Sequence, residues 1–171
     1  MLQKYSIFVL LYTYFIYAII CSEKNYGSVD VIITKLEVCK GPKRVDCTIE
    51  TAQMTSNHSF KDTLSLKEDV NLTSGKIIGS QNGKDLIKYN MKNPCDNLLI
   101  HSLLKAYVNI SDDCMISKGE YEYVVDVNTI SQKFYHGVFF YGNWTFKTVL
   151  YSTNCNALCN HVDLLISQRK K

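Results

Sequence analysis

Apolar and polar positions divide this chain into two unequal parts. After Met1-Leu2-Gln3-Lys4, residues Tyr5 to Ile20 carry no charge and are dense in Ile, Leu, Val, Phe and Tyr. One basic residue, an apolar run and then polar Ser22-Glu23-Lys24-Asn25 form the pattern of a secretory signal peptide, with cleavage expected after Cys21. The run is short of the roughly 20 residues that span a bilayer comfortably, and no Lys- or Arg-rich stop follows it. A retained signal anchor is the alternative. The expected organisation is a signal peptide at 1–21 and one domain at 22–171.

From Val29 the pattern is that of short strands. Val29 to Val38 is rich in Val and Ile, and Lys40-Gly41-Pro42-Lys43 has the turn chemistry to reverse it into Val45 to Met54. Phe60 to Leu66 alternates, Asn71 to Ile78 gives another strand, and Asn82-Gly83 predicts a tight hairpin into Leu86 to Tyr89. One segment changes period. After Asn93-Pro94-Cys95, Asp96 can cap a helix over Asn97 to Tyr107, with Leu99, Leu103, Ala106 and Tyr107 on its apolar face, widened by Ile100, Leu104 and Val108. Alternation then returns. Tyr121, Tyr123, Val125 and Val127 share one face, the β pattern continues through an aromatic-dense stretch from Phe134 to Tyr141, and Trp144, Phe146, Thr148 and Leu150 share a face opposite Asn143, Thr145 and Lys147. Val162 to Ile166 closes the series. About eight strands at this spacing predict an all-β (mainly) fold, a sandwich of two antiparallel sheets with one short helix.

Cysteine usage sharpens the compartment. Beyond Cys21 stand Cys39, Cys47, Cys95, Cys114, Cys155 and Cys159, an even number that predicts three disulfides behind a signal peptide. Cys39 and Cys47 flank the predicted turn closely enough to face each other, and Cys155 and Cys159 are near neighbours. A bridge from Cys39 or Cys47 to the C-terminal pair is the rival. Four glycosylation sequons begin at Asn57, Asn71, Asn109 and Asn143, and they point to the same compartment. The formal charge of +3, lowered by one if Lys4 is removed, is small and evenly spread. It gives no footing for nucleic acid, and Arg169-Lys170-Lys171 reads as a solvated tail.

Chemistry-bearing motifs are scarce. The sequence contains no Gly-x-Ser-x-Gly elbow, His-Glu-x-x-His pair or phosphate-binding glycine loop. His58, His101, His136 and His161 are scattered, and only a triad assembled from distant residues would make the chain a hydrolase. Cys155, Cys159 and His161 have the ligand types of a zinc site, but no second pair at zinc spacing accompanies them and an oxidising compartment favours disulfides. The expectation is a protein that is not an enzyme and holds no metal or cofactor. Tyr121, Tyr123, Phe134, Tyr135, Phe139, Phe140, Tyr141, Trp144 and Phe146 concentrate aromatic rings in a short stretch. They can fill a sandwich core, as in a secreted protein-interaction module (a receptor co-factor or venom component), or line an apolar cavity between splayed sheets.

Asn93-Pro94-Cys95, Cys114-Met115-Ile116-Ser117-Lys118-Gly119-Glu120-Tyr121 and Tyr141-Gly142-Asn143-Trp144-Thr145-Phe146 together resemble the ML (MD-2-related lipid-recognition) superfamily. Within it they look most like the insect ganglioside-activator-like branch, which includes secreted chemosensory CheB-like proteins. The likeness extends from Asn93 to Ile166, while Cys39 to Asn90 matches only in strand pattern and cysteine placement. It implies an immunoglobulin-like sandwich with a lipid slot between its sheets and, by analogy, a Cys95–Cys114 bridge. The cavity residues it suggests are Leu99, Leu103, Leu104, Tyr121, Tyr123, Phe134, Phe139, Phe140, Trp144 and Phe146, with the helix as wall or lid. The function expected is a secreted or lysosomal carrier of a glycolipid, sterol, fatty acid or pheromone-like hydrocarbon, serving chemosensation or lipid presentation and exchanging its ligand at a membrane surface or receptor.

Overall fold

The computed structural model describes residues 29–134 and 141–168; the expected signal peptide and the aromatic stretch 135–140 lie outside them. Eleven strands run β1 (Val29–Val38), β2 (Val45–Asp46), β3 (Thr48–Met54), β4 (Ser59–Leu66), β5 (Val70–Asn71), β6 (Ser74–Gln81), β7 (Lys84–Met91), β8 (Met115–Ile116), β9 (Gly119–Asp126), β10 (Gly142–Tyr151) and β11 (Cys155–Gln168). The helices are α1 (Leu98–Val108) and α2 (Val127–Phe134), and a 3-10 turn at Pro94–Asp96 precedes α1. The larger sheet has the order β1-β11-β10-β6-β7, and the smaller is β3-β4-β9. Every pairing is antiparallel except the two-residue contact of β2 with β11. The expected two-sheet sandwich is what forms, with a second short helix added.

Local chemistry explains the boundaries. Asn82 and Gly83 both have positive φ, 51° and 74°, the geometry in which a two-residue turn matches the twist of its flanking strands. In β4, Phe60, Asp62, Leu64 and Leu66 are buried while their neighbours are not, so period-two alternation sets the inward face. Asn97, rather than Asp96, caps α1: its side chain accepts the Ile100 N–H at 3.0 Å. Asp96 is spent in the 3-10 turn, where the Asn93 amide donates to it at 2.9 Å. Val127 begins α2 instead of ending β9. Phe134 therefore closes a helix, where the sequence pattern suggests a strand.

The first connection departs most from expectation. β1 and β3 belong to different sheets, so Lys40–Lys43 carries the chain across the sandwich and closes no hairpin. Along the way the segment docks on β11, with the Cys39 N–H donating to the Cys159 carbonyl at 2.7 Å and the Cys47 N–H to that of Asn156 at 2.9 Å. The disulfides follow this docking: Cys39–Cys159, Cys47–Cys155 and Cys95–Cys114, with Cα–Cα distances of 5.0, 5.5 and 5.6 Å. The pairings Cys39–Cys47 and Cys155–Cys159 are thereby corrected. Four residues along an extended strand separate Cα atoms by about 13 Å, far beyond disulfide reach. Cys95–Cys114, implied by the resemblance, is the pairing found.

Asn156 fastens the crossing. Its Oδ1 accepts the Lys43 N–H at 2.8 Å, and its Nδ2 donates to the Lys43 carbonyl at 3.0 Å and to Asp46 at 2.7 Å. Gly41 packs so tightly here that a Cβ would overlap the Asn156 carboxamide. Gly41→Ala is expected to cost about 1–3 kcal/mol by overpacking, read from the urea unfolding midpoint.

Candidate ligand cavity

Among the described residues the buried core falls into two clusters, with Tyr107 and Tyr123 packed against both. One buried cluster gathers Leu64, Leu66, Val70, Leu72, Ile110 and Ile116 with their neighbours, and a second holds Ile33, Phe60 and Val125. Between them lies a cavity of about 240 Å³. The smaller sheet contributes Phe60, Asp62 and Leu64 from β4 and Tyr123 and Val125 from β9. Facing these across the slot are Ile77 and Met91, Thr148 and Leu150 from β10, and Ala157, Leu158, Asn160 and Val162 from β11. Helix α1 forms a wall with Ile100, Leu103, Leu104, Tyr107 and Val108, and Ile130 of α2 completes it.

Three of the expected cavity residues, Leu103, Leu104 and Tyr123, meet there. Leu99 does not: it is 42% exposed, because the inward stripe of α1 runs through Ile100, Leu104 and Tyr107, with Leu103 at its edge. Tyr121 packs against the first core cluster and donates to the Ser117 carbonyl at 2.9 Å. Trp144 is buried and stacks on Phe146 at 5.8 Å, on the cavity-facing side of β10 but beyond the lining residues Thr148 and Leu150. The side chain of Phe134, and all of Phe139 and Phe140, lie outside the described residues. The four sequon residues Asn57, Asn71, Asn109 and Asn143 are all exposed.

Polar groups within the slot are few and linked. Asp62 is fully buried; its Oδ2 accepts from Tyr123 Oη at 2.9 Å and from Asn160 Nδ2 at 3.1 Å. Burial raises the Asp62 carboxyl above the ordinary aspartate range, and those two hydrogen bonds, with a smaller contribution from the Thr63 N–H, oppose the rise without cancelling it. The Tyr123 hydroxyl is pushed well above the ordinary phenol range, by burial first and the Asp62 charge second. Tyr107 stacks on Tyr123 at 4.9 Å. Behind Leu158, which lines both spaces, a smaller and more polar cavity of about 160 Å³ is bordered by Glu50, Asp46, Thr48, Asn156 and the Cys39–Cys159 bridge. Desolvation there raises Glu50 to about 7, although the Cys159 N–H donates to its Oε2 at 3.0 Å.

The sequence reading missed Asp62 and Glu50, yet a signal exists. Asp62 has the same parity as Phe60, Leu64 and Leu66, and an acid on the apolar face of a strand is an anomaly to follow. Asn160 carries no such mark in its local sequence.

The histidines are dispersed. His58 Nδ1 lies 2.8 Å from the Val31 carbonyl and 3.9 Å from Asp30, His101 lies 3.9 Å from Asp112, and His161 lies 3.5 Å from Asp163. His136 falls outside the described residues. Cys155 and Cys159 are each bonded to another cysteine, so neither offers a thiolate beside His161. Among the described residues no helix is long and apolar enough to cross a membrane.

No family model matches the chain, and no curated protein matches it in sequence. Among solved structures, chicken MD-1 complexed with lipid IVa aligns over 84% of this chain and 92% of its own, at 14% identity and a TM-score of 0.36. Domains d3-d4 of the rat CD45 extracellular region align over 85% and 67%, at 11% identity and a TM-score of 0.26. Likeness this loose leaves function to be argued from the cavity itself.

Proposed function

We propose that the protein is a secreted carrier that holds one aliphatic ligand in the slot between its sheets and performs no covalent chemistry on it. The carrying observation is the cavity: about 240 Å³, walled by both sheets and a helix, with hydrocarbon over most of its surface. An apolar cavity of about 150 Å³ in another protein accommodates benzene, so this one suits a single chain better than a two-chain glycolipid. Affinity would come from apolar burial at roughly 25 cal/mol per Å², offset by the cost of ordering the ligand. Leu103, Leu104, Tyr107 and Tyr123 are the contacts we assign to the ligand. The three disulfides and four exposed sequon residues support secretion with glycans at Asn57, Asn71, Asn109 and Asn143. The motif resemblance to the insect branch supports a chemosensory or lipid-presenting setting, with delivery to a membrane surface or receptor.

Native mass spectrometry of the secreted protein, with displacement of N-phenyl-naphthylamine by medium-chain lipids, tests the carrier. Protein that emerges empty and releases no dye would refute it. Ala157 is buried and lines the slot, so Ala157→Leu should fill part of it and weaken dye and ligand binding about tenfold, roughly 1.4 kcal/mol, with the fold retained. Unchanged affinity would move the binding site elsewhere.

A further inference from the structure

Asp62 and Tyr123 come from the smaller sheet and Asn160 from the larger, so the Asn160–Asp62 hydrogen bond ties the sheets together across the core while the Tyr123–Asp62 bond stays within the smaller sheet. All of that bonding converges on Asp62 Oδ2. Asp62 Oδ1 and Asn160 Oδ1 are buried and, among the described residues, have no hydrogen-bond partner. Asp62 is 0% exposed and Asn160 8%, and both line the cavity. A buried oxygen left unpaired costs about 1–3 kcal/mol, and well-packed apolar side chains could join the sheets without that cost. The unpaired oxygens are thus a surplus that sheet docking does not explain, placed at the wall of a ligand-sized space.

Resting on the carrier reading, we propose that the slot selects an aliphatic alcohol and takes it hydroxyl first, with the hydroxyl bonded to Asp62 Oδ1 and Asn160 Oδ1. A hydroxyl suits this pair because it both donates and accepts. It can donate to the Asn160 carbonyl while accepting from Asp62 Oδ1 in the protonated form toward which burial biases that carboxyl. Competing head groups fit worse. A fatty-acid carboxylate would meet Asp62 across an apolar cavity with no cation among the described lining residues. An ammonium would have to shed its hydration opposite a carboxyl that burial already biases toward neutrality. A pure hydrocarbon fills the space but leaves both oxygens unpaired.

Dye displacement by decanol and by decane, in the wild type and in an Asp62→Leu/Asn160→Leu/Tyr123→Phe variant, separates these cases. Using both ligands in both proteins cancels their different solubilities. The ratio of decane Kd to decanol Kd should be about tenfold higher in the wild type than in the variant. In the wild type, decanoic acid at neutral pH should compete more weakly than decanol. Orientation is read on the wild-type protein alone, whatever the variant's folding: the carbinol protons of bound decanol should give NOEs to the Tyr123 ring and Asp62 Hβ. Equal ratios, or carbinol protons at the opposite end of the slot, would overturn the alcohol assignment while leaving a carrier. Failure of both decanol and decane to displace the dye from the wild type would overturn the carrier, and this assignment with it.

Discussion

Removing both long-range disulfides, through alanine at Cys39, Cys47, Cys155 and Cys159, is expected to abolish folding, whereas removing either one alone leaves a weakened folded protein. The two bridges are nested, closing sequence separations of 120 and 108. With one intact, the other closes only the short circuit made by the segments Cys39–Cys47 and Cys155–Cys159. Its loss then costs what a loop of a dozen or so residues costs, about 3 kcal/mol. Losing the second as well releases a loop of over a hundred residues, for a combined cost of roughly 8 kcal/mol. That is on the order of the whole folding free energy of an ordinary domain. Cys95–Cys114 spans 19 residues and stands apart from the pair, so its removal should cost about 3 kcal/mol in either background. Urea titration of the three double variants and the quadruple variant reads this directly. A quadruple variant as stable as the double variant lacking only Cys39–Cys159 or only Cys47–Cys155 would show that the bridges do not act as one nested staple.

The disulfides also show where sequence reasoning stops. Alternation revealed which face of β4, β9 and β10 turns inward, because burial on one side of a pleated strand imposes a period of two whatever the topology. Phe60, Leu64, Tyr123, Thr148 and Leu150 sit on the faces that pattern assigns. Topology is another matter. Lys40-Gly41-Pro42-Lys43 has turn chemistry in a hairpin and in a sheet-to-sheet crossing alike, and only the partner of β1 decides between them. That partner is β11, more than a hundred residues away. The choice fixes the cysteine pairing, so one unreadable connection produced two wrong bridges. Helix α1 was legible in period and length, but its rotation against the sheets was not, and Leu99 fell outside the slot in consequence. The binding space itself was recoverable only in part. Leu103, Leu104 and Tyr123 carry the expected apolar and aromatic signals, whereas Ala157 and Asn160 matter through the strands that face them.

Stability should fall as the pH rises from about 4.5 through 7, the reverse of the usual acid sensitivity of carboxylate-rich proteins. Glu50 is the main cause. Desolvation between β3 and β11 raises its pKa from 4.5 to about 7, the bond from the Cys159 N–H only partly offsets this, and the nearby Asp62 charge adds to it. In the unfolded chain Glu50 ionises near 4.5, so between the two values the folded state holds a proton that the unfolded state has released. Ionising Glu50 in the folded protein then costs about 3 kcal/mol by pH 7.5, fully avoided below 4.5. Asp62 is shifted in the same direction by burial and adds to the slope. Thermal unfolding at pH 5 and pH 7.5 should therefore give the higher Tm at pH 5. Glu50→Gln, neutral at every pH, should flatten the profile by raising stability at pH 7.5 with little effect at pH 5. A wild-type Tm that climbs between pH 5 and 7.5, or a Glu50→Gln profile parallel to the wild type, would show that the folded protein solvates this carboxylate. The site lies next to the ligand space, separated from it by Leu158. A proton taken up at Glu50 thus removes a charge beside Asp62, and the same titration should be followed in ligand affinity as well as in Tm.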